Sequence, residues 1–112
     1  MTFDRGDVIR VPFPFTDRAA AKNRPALVLS GRDTFNAPSG HLLLAMITSA
    51  ANAPWPLDQP IADLAAAGLP VPSVVRMKLF TLDIRVVRGV VGRLSARDQA
   101  SVDTALRILL AS

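Results

Sequence analysis

No cysteine occurs in the 112 residues, and histidine occurs once, at His41. Without thiols there is no disulfide framework, no thiolate metal site and no cysteine nucleophile. One imidazole per chain also excludes a histidine-rich metal centre and a two-histidine ribonuclease mechanism. Lysine is nearly missing: of 13 cations only Lys22 and Lys78 are lysines. No apolar run approaches the ~20 residues of a membrane helix, and the opening Met1-Thr2-Phe3-Asp4-Arg5-Gly6-Asp7 carries acids where a secretory leader would be apolar. A cytoplasmic protein with no membrane segment is expected. Glycine-rich phosphate loops, metal-ligand clusters, repeats and low-complexity tails are missing too, so neither a metal nor a cofactor is expected.

What is present is enough for a core. Half the residues are apolar and 20% are charged, which excludes a disordered tail, and the length fits one domain over residues 1–112. The net charge of +4 and a pI of about 11.1 rest almost entirely on arginine. The planar guanidinium suits phosphate oxygens and stacks on bases, so the composition is compatible with a nucleic-acid partner. An arginine-rich solvated surface explains it equally well.

The chain reads as short strands punctuated by proline and glycine. Val8 to Val11 forms a strand stopped by Pro12, and Ala26 to Ser30 is a second. Gly31 to Gly40 reads as a loop. Leu42-Leu43-Leu44-Ala45-Met46-Ile47, apolar on both faces, is a central buried strand. Trp55, among Pro54, Pro56 and Pro60, is expected to pack over a barrel mouth, and Leu64 to Ala67 could form a helical turn stopped by Gly68. Ser73 to Met77 is a further strand, Thr81-Leu82-Asp83 a turn, and Val86 to Leu94 the last long strand, bent at Gly89 and Gly92. Ser95-Ala96-Arg97-Asp98 resembles a capping box, and Val102, Ala105, Leu106 and Leu109 give the helix behind it a packing face. The set predicts a mainly β protein: a small, strongly bent antiparallel barrel with a C-terminal helix.

Two polar points stand out. Arg24 lies where the polar run Asp17 to Asn23 gives way to an apolar strand, and Pro25 biases it away from helix and fixes its direction. Thr48 and Ser49 end the central strand, where hydroxyls serve either as turn formers or as donors into a cleft. Phe13 and Phe15 lie two apart, so in extended chain they face one way; one could stack on a base, the other fill the core. Lys22 and Asn23 flank Arg24 and could hold phosphates or base edges. Arg76, Arg85 and Arg88 read as solvated, and His41, at the far end of the central strand from Thr48, as surface.

An ordered set of segments carries a family resemblance. Gly6-Asp7-Val8, Pro12-Phe13-Pro14-Phe15-Thr16-Asp17, Asn23-Arg24-Pro25-Ala26-Leu27-Val28-Leu29-Ser30 and Ile47-Thr48-Ser49 resemble the MazF/PemK-like toxins of type II toxin–antitoxin systems. The likeness continues through Ala66 to Arg76, Leu79 to Asp83, Gly92 to Ser95 and the closing helix. It implies an SH3-like barrel of PemK/MazF/CcdB type and a homodimer. It also implies a metal-independent endoribonuclease for single-stranded RNA, neutralised by a cognate antitoxin. In that family the arginine of the Arg-Pro-Ala-Leu-Val motif and the hydroxyl ending the next strand carry catalysis; they fall on Arg24 and Thr48, with Phe15, Lys22, Asn23 and Ser49 as RNA-binding candidates. Because arginine stays protonated to pH above ~12, an electrostatic role suits Arg24 better than that of a base. Two alternatives use the same barrel: a CcdB-like gyrase poison and a non-catalytic nucleic-acid-binding domain.

Overall fold

The computed structural model describes residues 2–13 and 23–111. Six strands are found there: β1 (Asp7–Pro12), β2 (Asn23–Val28), β3 (His41–Ser49), β4 (Gln59–Pro60), β5 (Ser73–Asp83) and β6 (Gly89–Arg93). They pair antiparallel in one sheet, ordered β4-β5-β3-β2-β1-β6. Two helical turns, α1 (Ala37–Ser39) and α2 (Leu64–Ala67), and the long helix α3 (Ala96–Ala111) complete the order. The expected antiparallel barrel with a C-terminal helix is therefore found, its sheet curled into a half-barrel whose edges are β4 and β6.

Both faces of the central strands are buried, as their uninterrupted apolar sequence requires. On one face Val8, Leu27, Ala45, Ile47, Val75 and Met77 pack with Val102 and Ala105 of α3. On the other, Ile9, Val11, Ala26, Val28, Leu42 and Leu44 close around Phe3, with Phe80 and Leu82 folded over them. The curl comes from irregular pairing. Between the pairs Ala45↔Leu79 and Met46↔Arg76, β5 carries two residues, Met77 and Lys78, with no partner on β3. Val91 is similarly extra between Val8↔Gly92 and Ile9↔Val90. Such bulges bend a strand and increase its twist.

The helix start follows the capping pattern only in part. Ser95 Oγ accepts from the Asp98 N–H at 3.1 Å. The Asp98 carboxylate, however, is buried and accepts from the backbone N–H groups of Ala62 and Asp63, both at 2.9 Å. It therefore ties α3 to the segment leading into α2 instead of closing its own cap. Where α2 meets β6 the backbones nearly touch: a Cβ on Gly92 would lie 2.5 Å from the Ala67 carbonyl carbon, and Gly68, with φ of +73°, caps α2 in the left-handed region.

Several expected boundaries move. Gly31 to Gly40 is not a plain loop: a π-type turn, Arg32–Asn36, runs into α1. It is organised by buried Asn36, whose Nδ2 donates to the carbonyls of Phe3 and Ser30 and whose Oδ1 accepts from Ser30 Oγ. Thr81-Leu82-Asp83 belongs to β5 because His41, Leu42 and Leu43 pair with it; the turn is the 3-10 segment Ile84–Val86, so β6 starts only at Gly89. Leu109, expected on the packing face of α3, is 40% exposed beside Ile108 and Leu110, because the helix runs past the edge of the core.

Candidate active-site cleft

Arg24 is the second residue of β2, with Pro25 next, so its backbone is extended and tied to β1 through Val11. The β2–β3 ladder pairs Ala26 with Met46; continued two residues, the same register sets Arg24 opposite Thr48. The two side chains then share one face of the sheet. Both line a cleft of about 250 Å³ at this end of the sheet, together with Ser49, Asn52, Ser73 and the apolar wall Leu69-Pro70-Val71.

The two polar groups differ in environment. Arg24 is exposed, and its Cζ lies 6.0 Å from the ring centroid of Phe13. Phe13 is itself buried and stacks edge-on against Phe80 at 5.7 Å, so this ring belongs to the core and forms a floor under the guanidinium. Arg5, Arg32, Arg76, Arg85 and Arg93 each have a carboxylate partner; among the described residues none stands within ion-pair distance of Arg24. Thr48 is only 7% exposed, and its Oγ1 accepts a hydrogen bond from Asn52 Nδ2 at 2.6 Å. A hydroxyl holds one proton and two lone pairs, so with a lone pair taken by Asn52 the Thr48 proton is left to donate elsewhere.

Of the residues expected at the site, the structure brings together Arg24, Thr48 and Ser49. Ser49 Oγ also accepts from the Ala51 N–H at 3.2 Å, which shapes the turn carrying Asn52. Asn23 is exposed, pairs with Pro12, and does not line the cleft. Phe15 and Lys22 lie outside the described residues. His41 sits at the opposite end of β3, exposed, in a separate hollow with Ser39, Asp83 and Arg85.

Asn52 is the residue that sequence reasoning missed; its signal was a side-chain amide four residues after a strand-ending threonine. Arg76 and Trp55 also depart from expectation. Arg76 is not solvated: it pairs with Asp58 and is 11% exposed. Trp55 does not cover a barrel mouth but stands 42% exposed, with Arg76 and Lys78 near its ring. Lys78 is one of the two extra residues of the β5 bulge and stands two positions from Arg76.

The fold and site thus define a class: a small curled-sheet domain with an arginine and a buried hydroxyl sharing a cleft at one end of the sheet. Comparison with known proteins narrows it. Residues 4–110 match the family model for the PemK-like, MazF-like toxin of type II toxin-antitoxin system. No curated protein matches. Among solved structures, MazE-MazF (Form-III) from Deinococcus radiodurans is 25% identical with a TM-score of 0.77, covering 99% of this chain and 98% of that one. MazF (Form-I) from the same organism gives 24% and 0.76 over 100% and 99% of the two chains. An endoribonuclease in complex with its cognate antitoxin from Mycobacterial species shares the fold at 16% identity and a TM-score of 0.74, over 98% and 94%. The chain belongs to the PemK-like, MazF-like toxin family.

Proposed function

We propose that this toxin is a metal-independent endoribonuclease that cuts single-stranded RNA, works as a homodimer and is held inactive by a cognate antitoxin. The observation that carries the reading is the single cleft lined by both Arg24 and Thr48. In the reaction a ribose 2′-oxygen attacks the adjacent phosphorus and the bond to the 5′-oxygen breaks. The 2′-hydroxyl gives up its proton and the departing 5′-oxygen gains one, leaving a 2′,3′-cyclic phosphate and a 5′-hydroxyl. Negative charge grows on the non-bridging oxygens, and catalysis depends on donors fixed in advance where it appears. Arg24 supplies a permanent, forked cation on an extended strand. Thr48 supplies a neutral donor whose orientation Asn52 sets. Ser49 lines the same cleft, which supports a contact with the same phosphate or its neighbour.

Two features support the partners. The net charge of +4 and an exposed Arg24 with no carboxylate partner among the described residues favour an acidic or amphipathic antitoxin segment over the cleft, as the MazE-MazF and endoribonuclease–antitoxin neighbours suggest by analogy. Exposed Ile108, Leu109 and Leu110 at the end of α3 offer apolar surface to a second copy.

The test is incubation of purified protein with a long single-stranded RNA in excess EDTA, beside Arg24→Ala. Discrete fragments ending in cyclic phosphate are expected, formed about 10²–10³ times more slowly by the variant. Missing fragments, or equal cleavage by the variant, overturn the catalytic reading. Intact RNA with blocked supercoiling would instead favour a gyrase poison.

A further inference from the structure

The loop between β3 and β4 carries Asn52, and much of what shapes it comes from β5. β4 pairs Gln59 with Val75; continued by one residue, the register sets Asp58 opposite Arg76. The two meet in a forked ion pair, Nε 3.1 Å from Oδ1 and Nη2 2.9 Å from Oδ2, with side chains only 11% and 17% exposed. Each partner then takes a second bond to the loop backbone. Arg76 Nη2 donates to the Ala53 carbonyl at 2.8 Å, and Asp58 Oδ2 accepts from the Trp55 N–H at 3.0 Å. Leu57 is held at a φ of +66°, in the left-handed region, which a leucine keeps only where its surroundings over-determine it.

At its other end the loop is tied to the strand that finishes in Thr48 and Ser49. The Asn52 N–H donates to the Ser49 carbonyl at 3.1 Å, and the Ala51 N–H to Ser49 Oγ at 3.2 Å. Asn52 Nδ2 then reaches Thr48 Oγ1 at 2.6 Å. Ala53, whose carbonyl Arg76 clamps, is the next residue, so the guanidinium fixes the chain one position beyond the amide that orients the cleft hydroxyl. Thr48 and Arg76 are themselves set by one ladder, Thr48 opposite Val74 and Met46 opposite Arg76. We infer that Arg76 and Asp58 are positioning residues for the Arg24–Thr48 cleft: their ion pair fixes the loop so that Asn52 aims the Thr48 proton at the phosphate. The inference rests on the nuclease reading. Arg76 acts here as a donor already matched by Asp58, with no contact to RNA required. Rate is sensitive to such bracing, because a displacement of about 1 Å at a reacting centre can cost about 10²-fold.

The test follows cleavage of single-stranded RNA at a temperature well below the Tm of each variant. Asp58→Ala and Arg76→Ala are each expected to lower kcat about tenfold, with KM and its salt dependence unchanged. In an Asn52→Ala background neither should lower kcat further. Asp58→Asn, which keeps one acceptor oxygen, should recover part of the rate, and it carries the same test where Asp58→Ala does not fold. In ¹⁵N-labelled protein the Asn52 side-chain amide signals should move toward those of a free amide in both alanine variants. An unchanged rate, a loss that persists in the Asn52→Ala background, or Asn52 signals that stay in place overturns the inference while leaving the nuclease reading intact. A loss in KM with a smaller salt slope would make Arg76 a phosphate contact and likewise overturn it. A wild type that cuts no RNA overturns both, because no rate is left for the loop to set.

Discussion

Replacing Thr48 with valine removes one hydroxyl and separates stability from rate. Among the described residues one hydrogen bond is lost, the acceptance from Asn52 Nδ2 at 2.6 Å, and Asn52 is exposed, so its amide turns to water. The expected stability cost is that of one neutral hydrogen bond, about 0.5–1.5 kcal/mol, a shift of several degrees in Tm. The rate should fall far more, about 10²–10³-fold, because one preorganised donor to the transition state has gone. Asn52 then tests how that donor is aimed. Asn52→Ala frees the hydroxyl to rotate and should cost about tenfold. Asn52→Asp replaces the donor with an acceptor, draws the Thr48 proton away from the cleft, sets a negative charge beside the phosphate, and should approach Thr48→Val. Single-turnover cleavage of end-labelled RNA, with Tm measured in parallel, gives both quantities. In a double-mutant cycle Asn52→Ala should have no further effect once Thr48 is valine. An equal cost in both backgrounds, or a Thr48→Val enzyme at wild-type rate, would refute the reasoning.

Other outcomes follow from the packing and the charges. Gly92→Ala would push a Cβ to within 2.6 Å of the backbone of Ala66 and Ala67, so a loss of about 1–3 kcal/mol in denaturant titration is expected. Asp98→Ala strands the N–H groups of Ala62 and Asp63; a drop of about 1–3 kcal/mol or more is expected, with Asn, which keeps one acceptor oxygen, losing less. Backbone hydrogen bonds from Arg32 and Arg5 hold the Asp4 carboxyl below its ordinary 3.8, and the Arg85 side chain and backbone do the same for Asp83. Carboxyls depressed in the folded state contribute above their unfolded value and lose that contribution as pH falls, so Tm should be flat at neutral pH and decline below about pH 4. A Tm that rises on acidification would contradict this. Leu110→Glu, at a residue 75% exposed, should shift light-scattering mass toward the monomer and lower Tm only by the concentration-dependent part that association contributes.

Where local chemistry decides conformation, the residues declared it. Six apolar positions in a row marked β3, Ser95 marked the start of α3, and Arg24-Pro25 marked a cation on extended chain. Thr48 reaches the cleft of Arg24 through strand register, and the sequence tied the two residues together only by their family resemblance. What stayed hidden depends on contacts between distant segments. Asp98 looks like a capping acid until the N–H groups of Ala62 and Asp63 are seen to need it, 36 and 35 positions away. Arg76 looks like a surface cation until Asp58 is folded against it. Asn36 turned an expected loop into a buried turn because three polar atoms from Phe3 and Ser30 converge on its amide. Polar side chains with long-range partners carry no periodic signal, and they account for most of the differences.

The extra pair Met77–Lys78 in β5 has an even count, and that matters for heredity as well as shape. Side chains alternate along a strand, so adding two positions leaves inside and outside unchanged: Val75, Met77 and Leu79 still meet the core below α3, while Phe80 stays with the opposite cluster. Loss of Lys78 alone would swap the sides of everything after it, driving Phe80 and Leu82 into the wrong compartment. Length variation in this strand should therefore be tolerated only in steps of two, and a single-codon deletion there should be among the most damaging lesions the gene can carry.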